Sequence, residues 1–220
     1  MTGIRRSGKS VMLELIKQEL IDSGVSSSQF ISINFENMRY THLQTAKALY
    51  DEISSRSAGI DGKIYLFFDE IQEVKDWEKC INSFRVALDC DIYITGSNAK
   101  LLSGELATYL AGRYVEFIVY PFSFAEFLEL YHSVFPEETV QKSFQQYILY
   151  GGMPYLANIR YADEPSRQYL QDLFNSVQLK DIVKRNKIRD VDLLERIMAY
   201  VMANVGNTFS ASSLAKFLKS

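Results

Sequence analysis

The chain has 220 residues, of which 47% are hydrophobic and 23% charged, a composition that excludes disorder over most of its length. At about 100–200 residues per domain, that length suits one domain with an appendage or two small domains. Twenty-four Lys and Arg against 27 Asp and Glu give a formal net charge of −3, which excludes a global basic field for nucleic acid or an acidic membrane. Arg5, Arg6 and Lys9 lie near the start, but Glu14 and Lys17 interrupt the apolar stretch that follows, unlike a signal peptide. No apolar run approaches the roughly 18 residues that span a bilayer, so no membrane partner is expected. Cys80 and Cys90 have no second pair at a metal-site spacing and read as reduced thiols of a cytoplasmic protein.

Val11, Leu13, Leu15, Ile16 and Leu20 recur at helical spacing and predict a helix from Ser10 to about Asp22, stopped by Ser23-Gly24. Phe30–Phe35 reads as a strand, and Thr41–Ser54 as a helix through Leu43, Ala46, Leu49, Tyr50 and Ile53. After Asp61-Gly62 come five consecutive apolar residues, Ile64–Phe68, ending in Asp69-Glu70. A continuous apolar strand implies burial on both faces of a parallel sheet. A helix over Trp77–Leu88 and a strand over Asp91–Ile94 follow, then the polar turn Thr95-Gly96-Ser97-Asn98, and Tyr114–Tyr120 makes a last strand before Pro121. The alternation of strand and helix predicts an α/β fold with a mostly parallel sheet. Beyond Pro121 only helices are expected: Phe124–Tyr131, Val140–Tyr150, Arg167–Asn186 and Val191–Asn204, with Gly151-Gly152-Met153-Pro154 as a loop. Thr208–Ser220 reads as a further helix with Ser210 or Ser212 as N-cap, still running where the sequence stops, like part of a small helical domain.

Gly3-Ile4-Arg5-Arg6-Ser7-Gly8-Lys9-Ser10 matches G-x-x-x-x-G-K-S in full and leads straight into the first helix. With typical residue usage the pattern arises by chance on the order of once per hundred chains of this length, so it outweighs every other signal. The glycines let backbone N–H groups curl round phosphate oxygens, and the helix N-terminus faces their negative charge. Lys9 reaches the β and γ phosphates and the Ser10 hydroxyl ligands Mg²⁺. Gly3, Ile4, Arg5, Arg6, Ser7, Gly8, Lys9, Ser10 and Val11 are therefore the candidate nucleotide-binding residues. The apolar strand Ile64–Phe68 delivers the second component: Asp69 to hold the metal through its water shell, and Glu70 to polarise the attacking water. Ser97 or Asn98, beyond the end of a strand, is the candidate sensor of the γ-phosphate, and Arg113 the candidate arginine finger, in its own or a neighbouring subunit.

The loop Gly3–Ser10, the strand ending Phe67-Phe68-Asp69-Glu70, the turn Thr95-Gly96-Ser97 and the stretch from Gly112-Arg113 to Tyr120-Pro121-Phe122-Ser123 together resemble the AAA+-type P-loop ATPases of bacteria and archaea. The resemblance implies a RecA-like P-loop core over residues 1–122, an all-α lid over 123–190 and the first helices of a winged helix over 191–220. It implies ATP and Mg²⁺ as ligands and a hydrolase whose cycle moves attached domains, in that family including a larger C-terminal domain. In the family a central strand precedes the loop. Only Met1 and Thr2 precede Gly3 here, so that strand is expected to be absent and the loop poorly anchored, with self-association through an open sheet as one consequence.

Competing readings are weaker. A guanine-reading N-K-x-D is approached by Asn186-Lys187-Ile188-Arg189-Asp190, which has one residue too many, and no acceptor-substrate motif marks a small-molecule kinase. A nucleotide- or DNA-binding module without turnover rests on Lys180, Lys184, Arg185, Lys187 and Arg189, a run interleaved with acids as on a solvated helix face, and on the incomplete winged helix. The 14 Tyr and 14 Phe are spread at core spacing and read as packing, and His42 and His132 have no assigned role.

Overall fold

The apolar run Ile64–Phe68 sets the middle of the sheet. In the computed structural model, which describes residues 1–96, 112–177, 182–183, 188–208 and 210–219, it forms a strand, β3 (Ile64–Asp69), between β2 (Phe30–Asn34) and β4 (Cys90–Ile94), all parallel. Both faces of β3 are covered, as a continuous apolar strand requires. Ile64, Leu66 and Phe68 enter the main core with Leu49 and Ile53 of helix α2 (Ala46–Ser57) and Phe84 of α3 (Trp77–Ala87). Phe67 points the other way, between the rings of Phe30 at 5.9 Å and Tyr93 at 4.7 Å. Leu49, Ile53, Leu66, Phe68 and Phe84 are fully buried, each worth about 1.5–3 kcal/mol in apolar transfer.

Two residues form a strand ahead of the glycine loop, so the expectation that none exists is corrected. Thr2–Gly3 (β1) pairs in parallel with Ile118–Val119 (β5), and the Met1 amino group donates to the Ile94 carbonyl at 2.6 Å. The loop is thus anchored on both sides: Thr2 N–H bonds the Phe117 carbonyl at 2.9 Å while Met1 reaches β4. The strand expected over Tyr114–Tyr120 shrinks to Ile118–Val119, because β1 offers only two residues to pair with. Upstream of that pair, residues 112–117 and β4 wall a cavity of about 820 Å³.

Helix α1 (Lys9–Asp22) packs on β3. The helix expected over Thr41–Ser54 divides in two. Asn37 caps a 3₁₀ segment, Met38–Leu43, and Thr45 accepts the Ala48 N–H to start α2 afresh. Then α4 (Phe124–Val134) and α5 (Val140–Tyr150) enclose aromatic side chains: Phe127 contacts Tyr131, Tyr147 and Tyr161 at 5.3, 5.2 and 5.4 Å between ring centres. These rings pack a core, with Phe127, Tyr131 and Tyr161 buried. Helix α6 (Asp163–Ser176) begins four residues before the predicted Arg167, with Asp163 and Glu164 favouring its N-terminus.

The chain forms two compact units, Met1–Arg167 and Gln168–Ser220. In the second, α7 (Val191–Ala203) and α8 (Ala211–Lys219) meet through the Tyr200 and Phe217 rings, 5.0 Å apart, and a bond from Arg196 to the Phe217 carbonyl at 3.2 Å. Ser210 is the cap that starts α8, accepting the Ser213 N–H at 3.2 Å. No helix among the described residues is long and apolar enough to cross a membrane. Both cysteines are free thiols, and burial pushes that of Cys80 up to about 12.

Candidate functional site

The loop between β1 and α1 owes its shape to local geometry. A Cβ on Gly3 would lie 2.2 Å from the Val119 carbonyl oxygen, so only glycine lets the chain leave the sheet against β5. Ser7 closes the turn, its N–H and hydroxyl both donating to the Ile4 carbonyl at 3.4 and 3.0 Å. Gly8, at φ +101°, then turns the chain into α1 without a side-chain cap. The first N–H groups of a helix have no partner within it and attract anions, and here Ser10 and Val11 stand exposed at that first turn. Lys9 is buried, and its ammonium bonds the Gly3 and Ile4 carbonyls at 3.2 and 2.9 Å, inside the curve of the loop.

At the end of β3 the apolar core stops at Asp69, which is buried, and Glu70, which is half-buried. Glu70 has φ +56°, a left-handed conformation costing a non-glycine residue on the order of 1–3 kcal/mol. Bonds from neighbouring residues impose it. Thr95, fully buried one residue past β4, accepts the Glu70 N–H on its hydroxyl at 3.1 Å and the Ile71 N–H on its carbonyl at 3.1 Å. The Thr95 hydroxyl also donates to Asp69 Oδ1, and Asn34 Nδ2 donates to Asp69 Oδ2 at 2.9 Å. Burial pushes the Glu70 carboxyl above its ordinary value, helped by Glu36 and Asp69. An amide bond from Gln72 and the Lys9 charge oppose the rise. The Lys9 charge lies near enough to Glu70 to act on its carboxyl.

Gly3 through Val11 thus form the loop and the start of α1, and Asp69 and Glu70 stand at the end of β3. Ser97 and Asn98 lie outside the described residues, as do Lys180, Lys184, Arg185, Asn186 and Lys187, while Arg189 is exposed. Arg113 is exposed and lines the cavity together with Met1, Thr2 and the whole of β4 from Cys90 to Ile94. His132 is accounted for by a 3.2 Å contact between its Nε2 and the Ser143 hydroxyl in the helical segment. Sequence reasoning passed over Asn34, and it favoured Ser97 and Asn98 over Thr95 in the same turn. Each is the polar residue that closes an apolar strand, but its place beside Asp69 comes from the ladder register alone.

The residues present fit a hydrated Mg²⁺ in donor chemistry, offering the Asp69 carboxylate and the Ser10 hydroxyl, both hard oxygen donors. No group of three or more His, Cys, Asp or Glu that could hold a metal ion stands among the described residues.

A glycine loop running from the two-stranded parallel sheet β1–β5 into a helix, with a strand of the three-stranded parallel sheet β2–β3–β4 ending in acids, is consistent with a P-loop-like α/β fold. A family model described as an AAA domain matches residues 1–128, more than half of the chain, and the chain belongs to that family. Such a domain implies nucleotide binding. A second model, for a domain of unknown function (DUF8612), matches residues 141–220. The chain is 39% identical over 220 residues to an uncharacterized protein of Haemophilus influenzae, covering 100% of this chain and 54% of that protein. It is 29% identical over 225 residues to an uncharacterized protein of Methanocaldococcus jannaschii, covering 99% of this chain and 49% of the relative. The chain therefore spans about half the length of the curated relatives it matches.

Proposed function

We propose that this chain carries the ATP-binding and ATP-hydrolysing part of an AAA+-type motor of the cytoplasm, with 123–190 as a helical lid and 191–220 as the opening of a winged helix. The observation that carries the reading is the glycine loop itself, which runs from β1 into α1 with the Lys9 ammonium bonded inside it to the Gly3 and Ile4 carbonyls. In this reading the loop N–H groups and the N-terminus of α1 bind the phosphates, and Lys9 turns from the Gly3 and Ile4 carbonyls to the β and γ phosphates. Mg²⁺, when bound, neutralises phosphate charge and orients the terminal phosphoryl group. Asp69 and Ser10 would hold it. Glu70 takes the proton of the attacking water. Its raised pKa suits a base, and its backbone N–H is fixed by the Thr95 hydroxyl. Ser97 or Asn98 would contact the γ-phosphate, and Arg113 would act on the nucleotide of a neighbouring copy, which makes self-association part of the proposal.

Titration of Mg²⁺–ATP against the purified chain, with turnover followed in the same samples and Lys9→Ala as control, tests this reading. Binding that vanishes in Lys9→Ala supports it. Binding unchanged in Lys9→Ala, or no binding by the wild-type chain, overturns it.

A further inference from the structure

The C-terminal edge of the three-stranded sheet carries an array that the nucleotide reading does not require. Asn34 pairs with Asp69 in the β2–β3 ladder, and Phe68 pairs with Ile94 in the β3–β4 ladder, so Thr95 follows abreast of Asp69 on the other side. Three polar side chains from three strands thus stand in a row directly above buried Ile33 and Phe68. The proton directions within the row are fixed. The Thr95 hydroxyl has a single proton and accepts the Glu70 N–H, so that proton goes to Asp69 Oδ1. The Asn34 Oδ1 accepts the Glu36 N–H at 2.9 Å, so its amide must turn Nδ2 toward Asp69 Oδ2. Each oxygen of Asp69 therefore receives one donor in the plane of the sheet, and each keeps acceptor capacity outside it.

Thr95 itself has no freedom. It is fully buried, its N–H bonds the Phe68 carbonyl at 2.9 Å, and its carbonyl accepts the Ile71 N–H. Its hydroxyl ties two carboxylate-bearing residues, Asp69 by the side chain and Glu70 by the backbone. Asn34 does less. It is exposed at the end of β2 and touches Asp69 alone of the two acids.

From this geometry we infer that Asn34 and Thr95 are positioning residues that hold the Asp69 carboxylate in the one orientation in which its free lone pairs meet the water shell of a divalent cation. Thr95 additionally sets the Glu70 backbone. The inference rests on the nucleotide reading, since it concerns how that site takes its metal. Partners that orient metal-binding carboxylates are each worth about 10–100-fold in metal affinity or activity when removed. The two residues are expected to differ: loss of the Thr95 hydroxyl weakens both metal response and turnover, whereas loss of the Asn34 amide weakens the metal response with less effect on turnover at saturating Mg²⁺.

The test compares Thr95→Val, Thr95→Ser and Asn34→Leu with the wild-type full chain. ATP affinity is measured calorimetrically in EDTA and across a Mg²⁺ series, with turnover and thermal melting recorded on the same preparations. The expected result is that ATP affinity in EDTA is unchanged in all variants. The Mg²⁺-dependent gain in affinity falls about tenfold or more in Thr95→Val, is restored in Thr95→Ser, and falls several-fold in Asn34→Leu. A Thr95→Val chain that is folded and keeps the wild-type Mg²⁺ dependence overturns the inference while leaving the nucleotide reading intact. If Thr95→Val does not fold, Asn34→Leu decides: a wild-type Mg²⁺ dependence there overturns the inference, a weakened one supports it. A wild-type chain that binds no ATP overturns the nucleotide reading and the inference with it.

Discussion

The sheet and the helical segment that follows it, both within Met1–Arg167, are organised on opposite principles. In the sheet the decisive contacts are remote: Asn34 reaches Asp69 across 35 residues and Thr95 reaches it across 26. Over Ser123–Tyr150 many contacts are local. The Ser123 and Glu126 side chains form a reciprocal capping box three residues apart, and Phe127 and Tyr131 stack four residues apart. A site built from several strand ends exists only when the ladders are in register, whereas a helix pair carries much of its specification with it. Damage should therefore spread differently in the two regions.

The largest effect is expected at the chemical step. Glu70→Gln keeps the shape and the Gln72 contact region but removes the base, so turnover should fall by about 10²–10⁴-fold while ATP affinity holds. Retained turnover would mean that another group serves as base. The pH dependence sharpens the point. The base works deprotonated and its pKa is raised, chiefly by burial, so the rate should fail on acidification at a higher pH than an ordinary carboxylate would dictate. Gln72→Leu removes the bond that opposes the rise and should move that limb further up, which a rate profile against pH reads directly.

Core truncations contrast the two regions next. Phe84 lies fully buried 6.2 Å from Phe68, immediately below Asp69, and Phe127 is the centre of the helical aromatic cluster. Phe84→Ala and Phe127→Ala should each cost about 3–5 kcal/mol in denaturant unfolding. Phe84→Ala should also weaken ATP binding well below its melting temperature, and Phe127→Ala should not. Equal losses of affinity in both would show that the helical segment supports the site as directly as the sheet does.

The join between the regions is expected to be less sensitive. The Phe122 N–H bonds the Gly152 carbonyl at 2.8 Å, and the Tyr147 hydroxyl donates to the Phe122 carbonyl at 3.1 Å. A Cβ at position 152 would lie 2.0 Å from that same carbonyl oxygen, so Gly152→Ala must push the loop away from the start of α4, at about 1–3 kcal/mol in thermal or denaturant unfolding. An unchanged stability would mean that the loop yields without loss.

The same contrast explains what was legible in the sequence. The bounds Val140–Tyr150 were readable to the residue because apolar spacing is a local signal, and the structure adds the Thr139 cap that starts the helix. The glycine loop and the acidic end of β3 were readable because each is contiguous. Asn34 and Thr95 were not singled out, since their role exists only through ladder register, which no single segment encodes. The two-residue β1 was missed for the same reason: Thr2 and Gly3 become a strand only because Ile118 and Val119 lie beside them.

The smallest effect should come from the most local device. The Ser123 hydroxyl accepts the Glu126 N–H at the start of α4, while the Glu126 carboxylate accepts the Ser123 N–H and hydroxyl at 2.8 Å, which holds that carboxyl below its ordinary value. Ser123→Ala removes one side of this exchange and should cost about 1 kcal/mol, a typical loss for an N-cap. Because α4 and its aromatic partners persist without the cap, ATP affinity should be unchanged, and the loss should show as a lower unfolding midpoint with the same slope. A changed slope or a fall in ATP affinity would mean that the cap holds more than its own helix, and the division between remote and local organisation would not stand at residue 123.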